Sequence, residues 1–130
     1  MHRSTLARRT LLAAGLAGLV AAPALAHHGW SWTTDDPLAL TGEVREVYLG
    51  NPHAHVDLAV DGTVWRIELA PPRATERAGF VAGVAAPGDQ LTAYGFRSLD
   101  EGENRMKAVR LVVDGTAYDV YPRRTQLFDS

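Results

Sequence analysis

An alternating pattern over residues 53–69 predicts a β-hairpin and sets the class of fold. In the stretch HAHVDLAV, apolar side chains occupy every second position and therefore share one face of a strand. Asp61-Gly62 follows, which is the strongest short hairpin signal, and TVWRIEL continues the alternation on a return strand. The predicted inner face consists of Ala54, Val56, Leu58, Val60, Trp65, Ile67 and Leu69. We therefore expect a mainly β protein.

Further segments have the composition of strands, and turn residues separate them. They are residues 40–49, 90–97, 105–113 and 116–121, with a second Asp-Gly turn at 114–115. Residues 73–79 favour a short helix, because Pro72 suits a first helical turn and Gly79 suits a helix end. Gly42 and Gly95 indicate bulges or bends within their strands.

Five or six short strands, with one short helix after the third strand, predict an all-β fold of the OB-like barrel type. A β-sandwich is the alternative. We assign the barrel to residues 40–121 and an N-terminal arm, pinned by Trp30 and Trp32, to residues 27–39. Residues 122–130 are expected to form a frayed C-terminal tail.

Residues 1–26 have the features of a cleaved secretory signal peptide. Three arginines and no acid precede an apolar segment, and Ala-Leu-Ala at 24–26 has the small residues that signal peptidase reads. The apolar stretch, residues 11–22, is shorter than the ~20 residues of a spanning helix, so we expect no stable membrane insertion after cleavage. The arginine pair at 8–9 also fits a twin-arginine signal, with an ordinary signal peptide as the alternative. We expect a periplasmic or secreted mature protein that begins at His27.

Charge and composition exclude several classes of function. Removal of residues 1–26 would leave ten basic side chains against 15 acidic ones, a formal charge of −5 instead of −2. A net acidic domain argues against nucleic acid as a partner, because phosphate binding needs a basic surface. The chain has no cysteine, which excludes disulfides, thiolate metal sites and a cysteine nucleophile. It also lacks the sequence motifs of serine hydrolases, phosphate loops and dinucleotide sites, and we expect a non-enzymatic protein.

The four histidines of the mature chain fall into two clusters, and they are the main indication of chemistry. After cleavage, His27 would offer both its α-amine and a ring nitrogen to one metal ion, with His28 beside it. A third nitrogen from elsewhere would complete a histidine brace. His53 and His55 are two residues apart on a strand, so their side chains start about 6–7 Å apart on one face. Asp57 continues that face, as an oxygen ligand or as a partner that orients a ring.

These residues together predict a transition-metal site. Imidazole and amine nitrogens suit Cu(II), which also heads the affinity order of divalent ions, and zinc is the alternative. A second hypothesis is an envelope module that binds a small ligand or a protein without any metal, its histidines being ordinary polar surface. An enzyme that activates oxygen at an open copper site is a third, for which the sequence indicates no substrate surface.

Four short motifs resemble a family of small exported bacterial proteins known as domain of unknown function 6152. They are AHHGW at 26–30, LTGEV at 40–44, NPHAH at 51–55, and GDQL at 88–91 followed by Tyr94-Gly95. The resemblance covers most of the mature chain and implies an exported β-barrel domain, but it implies no activity. This chain departs from the family at Gly29, where members often have Ser, and at Leu49-Gly50, where they often have an aromatic residue.

Overall fold

A computed structural model describes residues 29–130, which form a mainly β fold. The elements are β1 (Thr33–Tyr48), β2 (His55–Val60), β3 (Thr63–Glu68), α1 (Pro72–Arg77), β4 (Gln90–Ser98), β5 (Arg105–Val113) and β6 (Thr116–Asp119). The single α-helix among them follows β3, as the sequence predicts. The expected signal peptide, His27 and His28 lie outside the described residues. From residue 29 onward, no helix has the length and apolar character needed to cross a membrane.

Two Asp-Gly turns form the hairpins that the sequence predicts. Asp61 and Gly62 connect β2 to β3 with φ angles of 49° and 81°. Asp114 and Gly115 connect β5 to β6 with φ angles of 50° and 74°. Positive φ at both central residues is the hairpin geometry whose twist matches that of the flanking strands. The first turn sets the register of the β2–β3 pair, and with it the face on which each β2 side chain lies.

The first strand, β1, pairs with two different strands along its length. Up to Glu43 it pairs with β4, and from Glu43 onward it pairs with β2. The bulge expected at Gly42 lies instead between Val44 and Glu46. Gly42 has another role, because a Cβ at this position would overlap the backbone carbonyl of Ala59 on β2. The strands approach so closely here that only glycine fits.

The arm predicted over residues 27–39 is wrong in its second half, because β1 begins at Thr33. Residues 33–37 read TTDDP and are exposed or only partly buried, so they show no hydrophobic alternation. Their place in the sheet depends on pairing with β4, where Thr33 lies opposite Ser98. The β region therefore starts at Thr33 rather than at Leu40.

One parallel pairing joins two strands that are not neighbours in the strand order of the sheet. The strand order is β3-β2-β1-β4-β5-β6, with every neighbouring pair antiparallel, and β3 also pairs in parallel with β5. In that parallel pair, Ile67 lies opposite Met106. Each strand from β1 to β5 therefore has at least two partners. The register of β4 against β5 shifts between Tyr94 and Gly95, which confirms the irregularity predicted at Gly95.

The hydrophobic core lies on the predicted face of the β2–β3 hairpin. Ala54, Val56 and Leu58 are fully buried, as are Ile67 and Leu69 of the return strand and its exit. The other strands complete this core with Val44, Leu91, Ala93, Met106, Ala108, Leu111 and Val113. In the helix α1, Thr75 is buried, and its hydroxyl donates to the backbone carbonyl of Ala70.

The C-terminal segment, residues 122–130, is structured, so the frayed tail predicted for it is wrong. It contains two 3-10 helices, Pro122–Arg124 and Gln126–Phe128. The ring of Phe128 packs at 5.7 Å and 5.8 Å, centroid to centroid, from the rings of Tyr94 and Phe96. Tyr94 and Phe96 do share a face of β4, as predicted. The segment PRRTQLFDS has only Leu127 and Phe128 as large apolar residues, and this pattern is too weak to recognise in sequence.

Candidate functional site

Gly29, the residue that directly follows His28, is fixed against the sheet. Its backbone carbonyl accepts a hydrogen bond of 2.5 Å from Nζ of Lys107 on β5. Next to it, the Trp30 ring makes edge contacts with Phe96 and Tyr121, at centroid distances of 6.0 Å and 5.0 Å. Gly29 and Trp30, which follow the two histidines at 27 and 28, therefore have a defined position on the fold.

His53 lies in a pocket that Gly29 also lines. This residue follows the turn at Asn51-Pro52 and precedes β2. The pocket has a volume of about 160 Å³, and its other lining residues are Trp32, Glu68, Leu69, Arg105 and Lys107. Arg105 covers the Trp32 ring at 3.8 Å from its centroid and donates to Glu68 at 3.3 Å. His53, one of the predicted metal ligands, thus shares a pocket with Gly29, the residue that follows His27 and His28.

His55 makes different contacts from His53. Its ring stacks on Tyr48, which lies opposite it on β1, with centroids 5.0 Å apart and planes inclined by 26°. Its Nε2 is buried, lies 3.9 Å from a carboxylate oxygen of Glu46, and has no hydrogen-bond partner within residues 29–130. This stacking holds the ring of His55, which is part of β2, against Tyr48 of β1.

The predicted oxygen ligand, Asp57, is bound to an arginine. Arg66 lies opposite it on β3 and donates to both carboxylate oxygens, at 2.5 Å and 3.4 Å. This hydrogen bonding raises the pKa of Arg66, although burial acts against it. A guanidinium fork of this kind occupies one acceptor site on each oxygen of the carboxylate.

The structure thus confirms the predicted alternation: His53, His55 and Asp57 lie on the face opposite the buried residues of this segment. The three side chains do not share a site, however, because each one contacts different groups. In the part of the chain that the structure describes, no three histidine or carboxylate side chains are grouped to hold a metal ion. The predicted metal site also includes His27 and His28, which lie outside the described residues, and it stays a prediction.

Lys107 is a functional candidate that the sequence analysis did not single out. Its side chain is only 3% exposed, with Nζ 4.6 Å from the Trp30 ring centroid and 5.2 Å from that of Tyr121. Burial lowers the pKa of Lys107 to about 8; the charge of Glu68 opposes this, and Arg124 and nearby Arg105 add to it. The available signal was a lysine inside the apolar run Met-Lys-Ala-Val of β5.

Residues 29–130 thus form a small, mainly β domain with a buried cation next to a histidine-bearing pocket. This chain belongs to DUF6152, a family of unknown function, whose model matches residues 16–106. The expectation drawn from the four motifs is confirmed at the level of family membership. No curated protein matches the chain.

Part of the chain is also similar to solved structures of TiaS, a tRNA agmatidine synthetase. A ZRD-deleted mutant of TiaS with agmatine has a TM-score of 0.47 at 15% identity, over 65% of this chain and 26% of that one. TiaS in complex with its tRNA, AMPCPP and agmatine has a TM-score of 0.47 at 15% identity, over 59% and 18%. This chain therefore spans about a quarter or less of those proteins, and no property of TiaS is transferred to it.

Proposed function

We propose that this protein is an exported, non-enzymatic OB-like barrel that binds a transition metal ion, preferentially copper, through His27 and His53, with His28 nearby. The barrel assignment is supported by the strand pairings, in which β3 meets β5 in parallel and α1 lies between β3 and β4. A five-stranded barrel with its helix in that place is the OB arrangement. Export to the periplasm or the medium is part of the proposal and follows from the signal-like features of residues 1–26.

The observation that carries the metal proposal is the shared pocket of Gly29 and His53. A chain spans at most about 3.3–3.6 Å per residue, so the Cα atom of His27 lies within roughly 7 Å of that of Gly29. From there an imidazole can reach the pocket that His53 lines. The carbonyl of Gly29, bound to Lys107, keeps this starting point fixed.

The proposed ligand set is narrower than the sequence alone suggested. Cleavage after Ala26 gives His27 a free amine, and with its ring nitrogen and the ring of His53 this makes three nitrogen donors. Such donors suit Cu(II), and zinc accepts them in a tetrahedral set. His55 and Asp57 are less suited to the site, because Tyr48 and Arg66 already engage them.

The test is titration calorimetry of Cu(II) into purified protein whose N-terminus has been established by intact mass. We expect His53→Ala to lower Cu(II) affinity by about 10- to 100-fold or more, and His55→Ala, the matched control, to leave it nearly unchanged. Acetylation of the N-terminal amine should have an effect like that of His53→Ala. Equal affinity of wild-type and His53→Ala protein would remove His53 from the site and refute the proposal.

A second candidate is an envelope module that binds a small ligand or a protein without metal. A second, cation-lined pocket next to α1 favours it. The two candidates are separable, because elemental analysis of the exported protein reports bound metal independently of any organic ligand.

A further inference from the structure

A second and larger pocket lies between α1 and the chain that follows β6. Its volume is about 560 Å³, within the range of roughly 300–1,000 Å³ that small-molecule sites occupy. Trp30 and Tyr121 supply aromatic surface, and their rings meet edge to face at 5.0 Å. Ala74 and Ala78, one helical turn apart at α1, supply a wall of small side chains. The pocket therefore combines apolar surface with enough volume for a small molecule.

The same pocket carries positive charge that the described part of the protein does not neutralise. Arg77, Arg123 and Arg124 line it, and none of them forms an ion pair with a carboxylate of residues 29–130. Asp119 is the one carboxylate among the lining residues, and Arg110 binds both of its oxygens at 2.6 Å and 3.2 Å. Within residues 29–130, three guanidinium groups are thus left without an anion.

This pocket is lined by cationic side chains, although the net charge of the chain is negative. The chain as a whole has a formal charge of −2, yet several cations gather here around two aromatic rings. Arg124 lies 4.3 Å from the centroid of Trp30, and Lys107 lies 4.6 Å from it. Guanidinium groups bind carboxylates and phosphates through paired hydrogen bonds, and they lose less hydration than ammonium groups on doing so.

We propose that this pocket binds a small organic acid, an apolar body that bears one carboxylate, with the body against Trp30 and Tyr121 and the carboxylate between Arg77 and Arg123. The proposal is independent of the metal site, because it uses none of the histidines. The lining combines apolar side chains with guanidinium groups that have no ion pair within residues 29–130. A ligand with an apolar body and one carboxylate contacts both kinds of group, which neither an apolar molecule nor a bare anion does.

The test uses 1-naphthaleneacetate as probe and its uncharged amide, 1-naphthaleneacetamide, as the matched control ligand. Binding is measured by titration calorimetry, and the site is mapped by amide chemical shifts of the labelled protein. We expect the acid to bind at least tenfold more tightly than the amide, with shifts concentrated at α1 and at residues 119–124. Inorganic phosphate should bind far more weakly than the acid.

Charge-neutralising variants decide which cations take part. The double variant Arg77→Gln/Arg123→Gln should weaken binding of the acid at least tenfold and leave binding of the amide unchanged. Arg73→Gln, on the same helix but outside the pocket, should leave both unchanged. Arg73, Arg77 and Arg123 are all exposed, so we expect these variants to fold, and thermal unfolding checks this. Equal binding of acid and amide, equal loss in Arg73→Gln, shifts elsewhere, or no binding of the acid would each overturn the proposal.

Discussion

Lys107 places an ammonium group inside a domain of about a hundred residues. The Gly29 carbonyl and two aromatic rings replace the water that this group would otherwise bind. They do not replace it completely, because burial lowers the pKa of Lys107 to about 8. The side chain connects the start of the described chain to β5. Its protonation state therefore bears on how firmly residues 29 and 30 are held.

Stability should depend on pH through Lys107 and Tyr121 in opposite directions. Lys107 has a folded pKa of about 8 against 10.5 when unfolded, so above pH 8 the unfolded chain binds the extra proton and stability rises with pH. Burial raises the pKa of Tyr121 to about 12 from 10.0, so above pH 10 the unfolded chain ionises first and stability falls. We expect a maximum near pH 10, with a gain of about 2 kcal/mol over pH 8.

Urea unfolding of wild-type and Lys107→Met protein between pH 7 and pH 11 measures this effect. The rise above pH 8 should be present in the wild type and missing in the variant, while both lose stability above pH 10. Parallel curves for the two proteins would show that Lys107 is not the group responsible. Arg105, Arg124 and Glu68, whose charges act on Lys107, are unchanged in the comparison.

At the scale of elements, the sequence predicts the hairpins and the helix because their signals are local. An Asp-Gly pair needs only its own two φ angles, and alternation needs only one buried face. The beginning of β1 and the C-terminal segment depend instead on partners far along the chain, namely β4 and the rings of Tyr94 and Phe96. The same holds for Lys107, whose surroundings come from both ends of the described chain.

Gly42 should tolerate no side chain, because β1 passes the backbone of Ala59 there at very close range. We expect Gly42→Ala to lower the free energy of unfolding by about 1–3 kcal/mol, since the backbone of β2 must shift. Gly102→Ala is the control, because its Cβ would meet only the flexible Asp100 side chain. Urea unfolding measures both variants, and a Gly42→Ala protein as stable as the control would contradict the close approach.

Phe128 should contribute to the attachment of the C-terminal segment, which Arg110 also holds through its ion pair with Asp129. Its ring is half-buried against Tyr94 and Phe96, so Phe128→Ala should cost about 1–3 kcal/mol of stability. The neighbouring Leu127 is 60% exposed, and Leu127→Ala should change stability by less than about 0.5 kcal/mol. Proteolysis of the native proteins, read by mass spectrometry, should release the segment sooner in Phe128→Ala only. Equal release from both variants would mean that the ring does not hold it.

At the scale of the whole molecule, the pairings that complete the sheet join distant parts of the chain. β1 pairs with β4, and β3 pairs with β5 across α1. Topologies dominated by such non-local pairings fold in about milliseconds to seconds, slower than helical bundles of equal size. The proposed metal site and the proposed organic-acid site are both non-local as well. Each combines the residues around Gly29 or Trp30 with segments much later in the sequence.

The pairing of Thr33 with Ser98 has a consequence for the nascent chain. At about 5–20 residues per second, the ribosome needs several seconds to add the intervening residues, and during that time the start of β1 has no partner strand. An unpaired strand is a template for aggregation unless charge or proline interrupts it. Asp35, Asp36 and Pro37 lie in this segment. The same polar residues that prevent recognition of this strand from the sequence should therefore reduce its pairing with other chains until β4 has been synthesised.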